Sequence, residues 1–136
     1  MRVLIVEDEV LVAAELEWMV EDFGHSSVGS AVSAAEALAM AEARRPELAF
    51  VDVCLADGPT GVDAARALIS SGVVVIFTTA NPKRLPHDLA GAAGVIAKPY
   101  APGAVRDALD GVAAGLRDEG RPSRSQPAAD GSDARA

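Results

Sequence analysis

Two apolar patterns alternate along the chain. Short unbroken runs, Arg2-Val3-Leu4-Ile5-Val6 and Leu48-Ala49-Phe50-Val51-Asp52-Val53, predict strands buried on both faces, because a strand with one wet face would alternate. Between them, apolar residues recur at helical spacing. Val12, Leu16, Met19, Val20 and Phe23 form one stripe, with Glu15, Glu17 and Glu21 between them and Gly24 closing the helix. Ser26–Ala31 reads as a weak strand. Ser33 and Glu36 have capping-box spacing before an Ala-rich helix that runs to about Arg45, where Pro46 stops it.

Thr60 and Asp63 repeat that spacing ahead of a helix marked by Val62, Ala65, Leu68 and Ile69. Val73–Thr79 is the strongest strand signal, β-branched nearly throughout. Pro82 and Pro86 predict that any helix between Asn81 and Ala93 is short or irregular. Val95-Ile96-Ala97 is a short strand. The last helix starts near Pro102 and carries Val105, Leu109, Val112 and Leu116 on one face. The order is β-α five times over, which predicts an α/β fold, a five-stranded parallel sheet with helices on both faces. Residues 1–118 are expected to form one domain. From residue 119 to residue 136 hydrophobic periodicity ends, and a disordered C-terminal tail is expected there.

Composition adjusts this picture in three places. Half the residues are hydrophobic but only 4% are aromatic, so the core must be aliphatic. No apolar run reaches the roughly 18–20 residues of a membrane span, and Cys54 has no partner for a disulfide. A cytoplasmic protein without membrane contact is expected. The net charge is −8, and four arginines cancel four acids from Arg117 onward, so residues 1–116 carry the excess, 16 acids against 8 bases. A body this acidic, with no basic stripe, argues against direct nucleic-acid binding.

The informative polar residues are those that interrupt or end buried strands. Glu7 and Asp8 follow the first strand, Asp52 lies near the end of the third, Thr79 ends the fourth and Lys98 the fifth. A parallel sheet brings all five to the rim where its strands' carboxyl ends meet and sites form. Two unit charges about 4 Å apart repel by roughly 4 kcal/mol at an effective dielectric of 20, so the carboxylates call for a proton or a cation. An all-oxygen set suits Mg²⁺. Asp8 and Asp52 are expected as direct ligands, Glu7 through a bound water, and the Cys54 backbone carbonyl as a further oxygen. With a cation present Asp52 becomes a nucleophile toward phosphorus, Lys98 neutralises the developing charge and Thr79 donates to a phosphoryl oxygen. His25 and His87 have no second ligand at metal spacing, and Trp18 lies out of phase with its helix's apolar stripe, a candidate contact residue.

Glu7-Asp8, Asp52, Thr79-Ala80 and Lys98-Pro99-Tyr100, in this order at successive strand ends, resemble a response-regulator receiver domain of the single-domain type across residues 1–116. The resemblance implies a (βα)5 flavodoxin-like receiver fold. It further implies phosphotransfer to Asp52 from the phosphohistidine of a sensor histidine kinase or phosphotransfer protein. An unidentified downstream protein would read the output, through a face around the fourth and fifth helices, or the domain would act as a phosphate sink. Leu55-Ala56-Asp57-Gly58-Pro59-Thr60-Gly61 and Phe77-Thr78-Thr79-Ala80 resemble the FAT GUY group of alphaproteobacterial stress-response regulators. Thr78 replaces an alanine of that group, Pro82 an aromatic, and Val95 the switching aromatic of many receivers. Self-phosphorylation and self-dephosphorylation are the most that is expected by way of enzyme activity. The competing readings are a Mg²⁺-dependent phosphatase with an aspartyl-phosphate intermediate and a receiver-like module that no longer accepts phosphate. The phosphatase chemistry usually places a second acid two residues after the nucleophile, where this chain has Cys54.

Overall fold

The computed structural model describes residues 1–119. The expected tail falls outside them, apart from Glu119, which is the last helical residue. The elements in chain order are β1 (Arg2–Val6), α1 (Val10–Asp22), β2 (Ser26–Ala31), α2 (Ala34–Arg44), β3 (Leu48–Asp52) and α3 (Gly61–Ser70), followed by β4 (Val74–Thr79), β5 (Gly94–Ala97) and α4 (Pro102–Glu119). All strand pairs are parallel, and the sheet order is β2-β1-β3-β4-β5. Chain reversal at β1 makes the outer ends of β1 and β3 a topological switch point, where sites form in such sheets.

Strand alternation divides the core in two. Val3, Ile5, Leu48, Phe50, Ile76 and Ile96 face α1 and α4, against Ala13, Leu16, Val20, Val105 and Leu109. Leu4, Val6, Ala49, Val51, Val75 and Phe77 face α2 and α3, against Ala37, Ala41, Ala65 and Leu68. This double coverage is why β1 and β3 read as continuous apolar runs. Among the described residues, no helix is long and apolar enough to cross a membrane.

Between β4 and β5 the described chain makes only two short 3-10 turns, Pro82–Arg84 and Leu89–Gly91, where the fourth helix of a (βα)5 unit would lie. Pro82 and Pro86 each lack a backbone donor, and Leu89 and Ala90 adopt left-handed φ of 53° and 54°. Of the contact face expected around the fourth and fifth helices, only the last helix, α4, is a regular element.

The two capping boxes turn out differently. The Ser33 hydroxyl accepts from the Glu36 N–H at 3.1 Å. Glu36 reaches back one residue further than the pattern requires, accepting from the Val32 N–H at 2.8 Å. Thr60 makes no side-chain cap. Its hydroxyl donates to Asp57 Oδ1 at 2.7 Å, and its backbone, at φ −101° and ψ 2°, departs from the extended conformation in which a residue caps.

Asp57 also accepts from the Ala34 N–H, so one carboxylate ties the β3–α3 loop to the start of α2. The Thr60 hydroxyl first, then the Ala34 N–H, hold the Asp57 carboxyl below the usual carboxylate range. A depressed folded pKa means that this tie stabilises the fold above the unfolded pKa and is lost as pH falls through the folded one. The Asp57 carboxyl resonance should therefore titrate below 3.8, and in Thr60→Val its midpoint should move up. An unshifted midpoint in that variant would show that Thr60 does not hold the carboxylate.

Candidate functional site

The register aligns the rim. Val6 pairs with Val51, Asp52 with Thr78 and Thr79 with Ala97, so Glu7, Asp52, Thr79 and Lys98 emerge side by side. Glu7 is 1% exposed, Asp52 8% and Thr79 5%, whereas Asp8 lies in solvent. Lys98 Nζ sits 2.7 Å from Glu7 Oε1 and 3.1 Å from Asp52 Oδ2. The Val53 N–H donates to the other Asp52 oxygen, Oδ1, at 2.8 Å.

Burial raises the pKa of Glu7, the Lys98 hydrogen bond opposing it and the Asp52 charge adding to it. Burial works against the Lys98 ammonium, but its bonds to Glu7 and Asp52 outweigh it and raise its pKa. Both effects follow from a shared site in which one ammonium serves two carboxylates. Behind Glu7, the Tyr100 hydroxyl lies 3.5 Å from Oε1. Burial pushes this phenol up to about 12, with a hydrogen bond to buried Thr78 in opposition. Thr78, one of the departures from the FAT GUY pattern, thus backs the site from the α1–α4 side.

Oxygens of Glu7, Asp8 and Asp52 lie within 4.8 Å of one another. Ligand oxygens of an octahedral Mg²⁺ are roughly 3–4 Å apart, a spacing that a small rotation of Asp8 would reach. Asp8 is free to make it, since its side chain has no hydrogen bond or ion pair among the described residues. An all-carboxylate donor set with one mobile member fits a hard divalent cation. Glu7 is the most buried of the three and holds Lys98 more closely than Asp52 does, at 2.7 against 3.1 Å, while its Oε2 accepts from the Glu9 N–H at 3.2 Å.

Thr79 faces a cleft of about 190 Å³ lined by Asp52, Val53, Cys54, Thr79, Ala80, Asn81, Arg84 and Lys98. Its Oγ1 accepts from the Asn81 N–H at 3.0 Å, which leaves the hydroxyl proton to donate. Cys54 is exposed on the cleft wall, and its backbone follows Asp52 by two residues.

Three neighbours escaped the sequence reading. Arg84 and Asn81 line the cleft from the irregular β4–β5 segment, which gave no periodic signal. Gly61 opens α3 directly against the third strand, its N–H donating to the Val53 carbonyl at 2.9 Å. A Cβ there would lie 2.1 Å from the Asp52 carbonyl oxygen and 2.6 Å from Val53 Cα. The Gly58-Pro59-Thr60-Gly61 run was legible as a loop, but not as a contact with Asp52.

Fold and rim together define the class, a flavodoxin-like domain of the CheY-like type; one such protein from Methanospirillum hungatei superimposes with a TM-score of 0.75. The chain belongs to the response regulator receiver domain family, which matches residues 3–110. The phyllosphere-induced regulator PhyR of Methylorubrum extorquens is 44% identical over 104 residues, 74% of this chain and 39% of PhyR. The transcriptional regulatory protein PdtaR of Mycobacterium tuberculosis is 34% identical over 103 residues, 73% of this chain and 50% of PdtaR. The receiver domain of Erythrobacter litoralis PhyR is 32% identical with a TM-score of 0.77, covering 94% of this chain and 95% of that domain. The chain thus spans half or less of these two curated relatives, while it matches an isolated receiver domain nearly end to end.

Proposed function

We propose that this domain accepts a phosphoryl group on Asp52 from the phosphohistidine of a sensor histidine kinase or phosphotransfer protein, with Mg²⁺ bound at Asp8 and Asp52. The supporting observation is the Asp52 carboxylate, held at the rim by Lys98 and Val53 with two further carboxylates in reach. An Asp52 oxygen forms the O–P bond while the P–N bond to the donor imidazole breaks, its electron pair leaving with the nitrogen. Lys98 turns from the Asp52 carboxylate to the phosphoryl oxygens, and Thr79 donates its hydroxyl proton to one of them. The cation, when bound, neutralises charge on the transferring group. The Cys54 backbone carbonyl is assigned as a further oxygen toward it, and Glu7 acts through water.

The site offers no acid two residues beyond Asp52, where Cys54 stands, which favours a phosphoacceptor over a phosphatase acting on small esters. A protein donor has a surface to meet. Val10, Leu11 and Trp18 on α1 are 72%, 84% and 66% exposed, and this helix begins just after Asp8 and Glu9. Output is by protein contact or by draining phosphate from the donor. The PhyR of Bartonella quintana, a solved relative, is an anti-anti-sigma factor, which supports an output through protein contact here. We assign the domain to the cytoplasm, where such donors supply it.

Metal binding gives the first test. Mg²⁺ should raise the melting temperature, since a ligand of the native state stabilises it. Asp8→Asn should abolish most of that rise while leaving the metal-free melting temperature nearly unchanged, because Asp8 is exposed and unpartnered. A full Mg²⁺ response in Asp8→Asn would remove the metal from this rim.

A further inference from the structure

We propose that Arg84 is a second cation for the phosphorylated state, binding the phosphoryl oxygens on Asp52 and so coupling the acyl phosphate to the irregular segment between β4 and β5. This rests on the reading of Asp52 as phosphoacceptor and adds to it a residue that no strand end marks. Arg84 lines the same cleft as Asp52, Thr79 and Lys98. It is exposed, and its guanidinium has no ion pair or hydrogen bond among the described residues. An unpaired arginine lining the same cleft as Asp52 is an available partner for an oxyanion, and its planar fork matches phosphoryl oxygens.

Charge balance indicates when it is needed. Glu7, Asp8 and Asp52 are matched by Lys98 together with one divalent cation. A phosphoryl group brings about two negative charges where the Asp52 carboxylate had one, so phosphorylation leaves one charge unmatched. Arg84 is the basic side chain besides Lys98 that lines the cleft; Lys83 next to it does not.

The backbone provides the coupling. The Asn81 N–H is bonded to Thr79 Oγ1, and the turn carrying Arg84 begins at the next residue. Movement of Thr79 toward the phosphoryl group therefore carries Asn81 with it and draws Arg84 inward. The segment offers little resistance, being two 3-10 turns without an α-helix. Val95, stiff at its single χ angle, is not required to swing.

The test is a beryllofluoride titration of the full chain with Mg²⁺, followed by amide NMR in wild type, Arg84→Ala and Arg84→Lys. Arg84→Ala should need roughly three- to tenfold more beryllofluoride for half-saturation, the effect of losing one partly exposed charged hydrogen bond. That gap should narrow at high salt, and Arg84→Lys should recover part of it. The shifts at residues 82–91 should shrink in Arg84→Ala while those at Thr79 and Lys98 persist, and Mg²⁺ affinity without beryllofluoride should stay within about twofold. Equal half-saturation in wild type and Arg84→Ala overturns the proposal while sparing the reading of Asp52. So does a parallel loss of Mg²⁺ affinity, which would reveal a structural role. A wild type that ignores beryllofluoride overturns both.

Discussion

Gly61→Ala should lower the melting temperature by more than about 10 °C, the size expected when roughly 3 kcal/mol is lost from a domain of about 100 residues. The added methyl group would meet backbone, namely the Asp52 carbonyl oxygen at 2.1 Å and Val53 Cα and O at 2.6 and 2.7 Å. Flexible side chains can turn away from such a contact, but these are backbone atoms of the last residue of the central, buried strand β3 and of the residue that follows it. Relief must come from lifting the first turn of α3, which breaks the Gly61–Val53 hydrogen bond and opens the packing of Ala64, Ala65 and Leu68. The effect reaches the site as well, because the displaced backbone is that of Asp52. Thermal unfolding with and without Mg²⁺ checks both parts. A variant melting within about 2 °C of wild type, well under the shift from 1 kcal/mol, would show that the contact is easily relieved.

That contact marks the limit of what the sequence could reveal. Strands β1, β3 and β4 were legible because burial on both faces writes an unbroken apolar run, and the rim was legible because polar residues ended those runs. The prolines at 82 and 86 announced the irregular segment before β5. Other features depend on what the fold brings together. Whether Thr60 caps α3 or serves Asp57 is set by the backbone of the loop, which leaves Thr60 at ψ 2° rather than in the extended conformation of a capping residue. Gly61 looks like any loop glycine until strand β3 lies against it. Glu7 and Asp8 are adjacent in sequence yet differ completely in exposure, since the first turns toward Lys98 and Tyr100 and the second toward water. Arg84 belongs to no periodic pattern, and its place at the cleft follows from the path of two short turns.

Asp52→Ala should eliminate phosphorylation altogether. The remaining carboxylates are poor substitutes. Glu7 is 1% exposed, with its Oε1 held by Lys98 at 2.7 Å, and Asp8 is exposed with no lysine beside it. Removing Asp52 should leave the fold intact, because it takes one of three neighbouring like charges away and Lys98 keeps Glu7 as its partner. The direct measurement is incubation of both proteins with phosphoramidate and Mg²⁺, whose P–N bond stands in for that of a phosphohistidine, followed by intact mass. Wild type should gain a single phosphoryl group, dependent on Mg²⁺ and labile to base as an acyl phosphate is, and Asp52→Ala should gain none. Undiminished labelling of Asp52→Ala, or a wild type that is never labelled although folded and Mg²⁺-bound, would contradict the account.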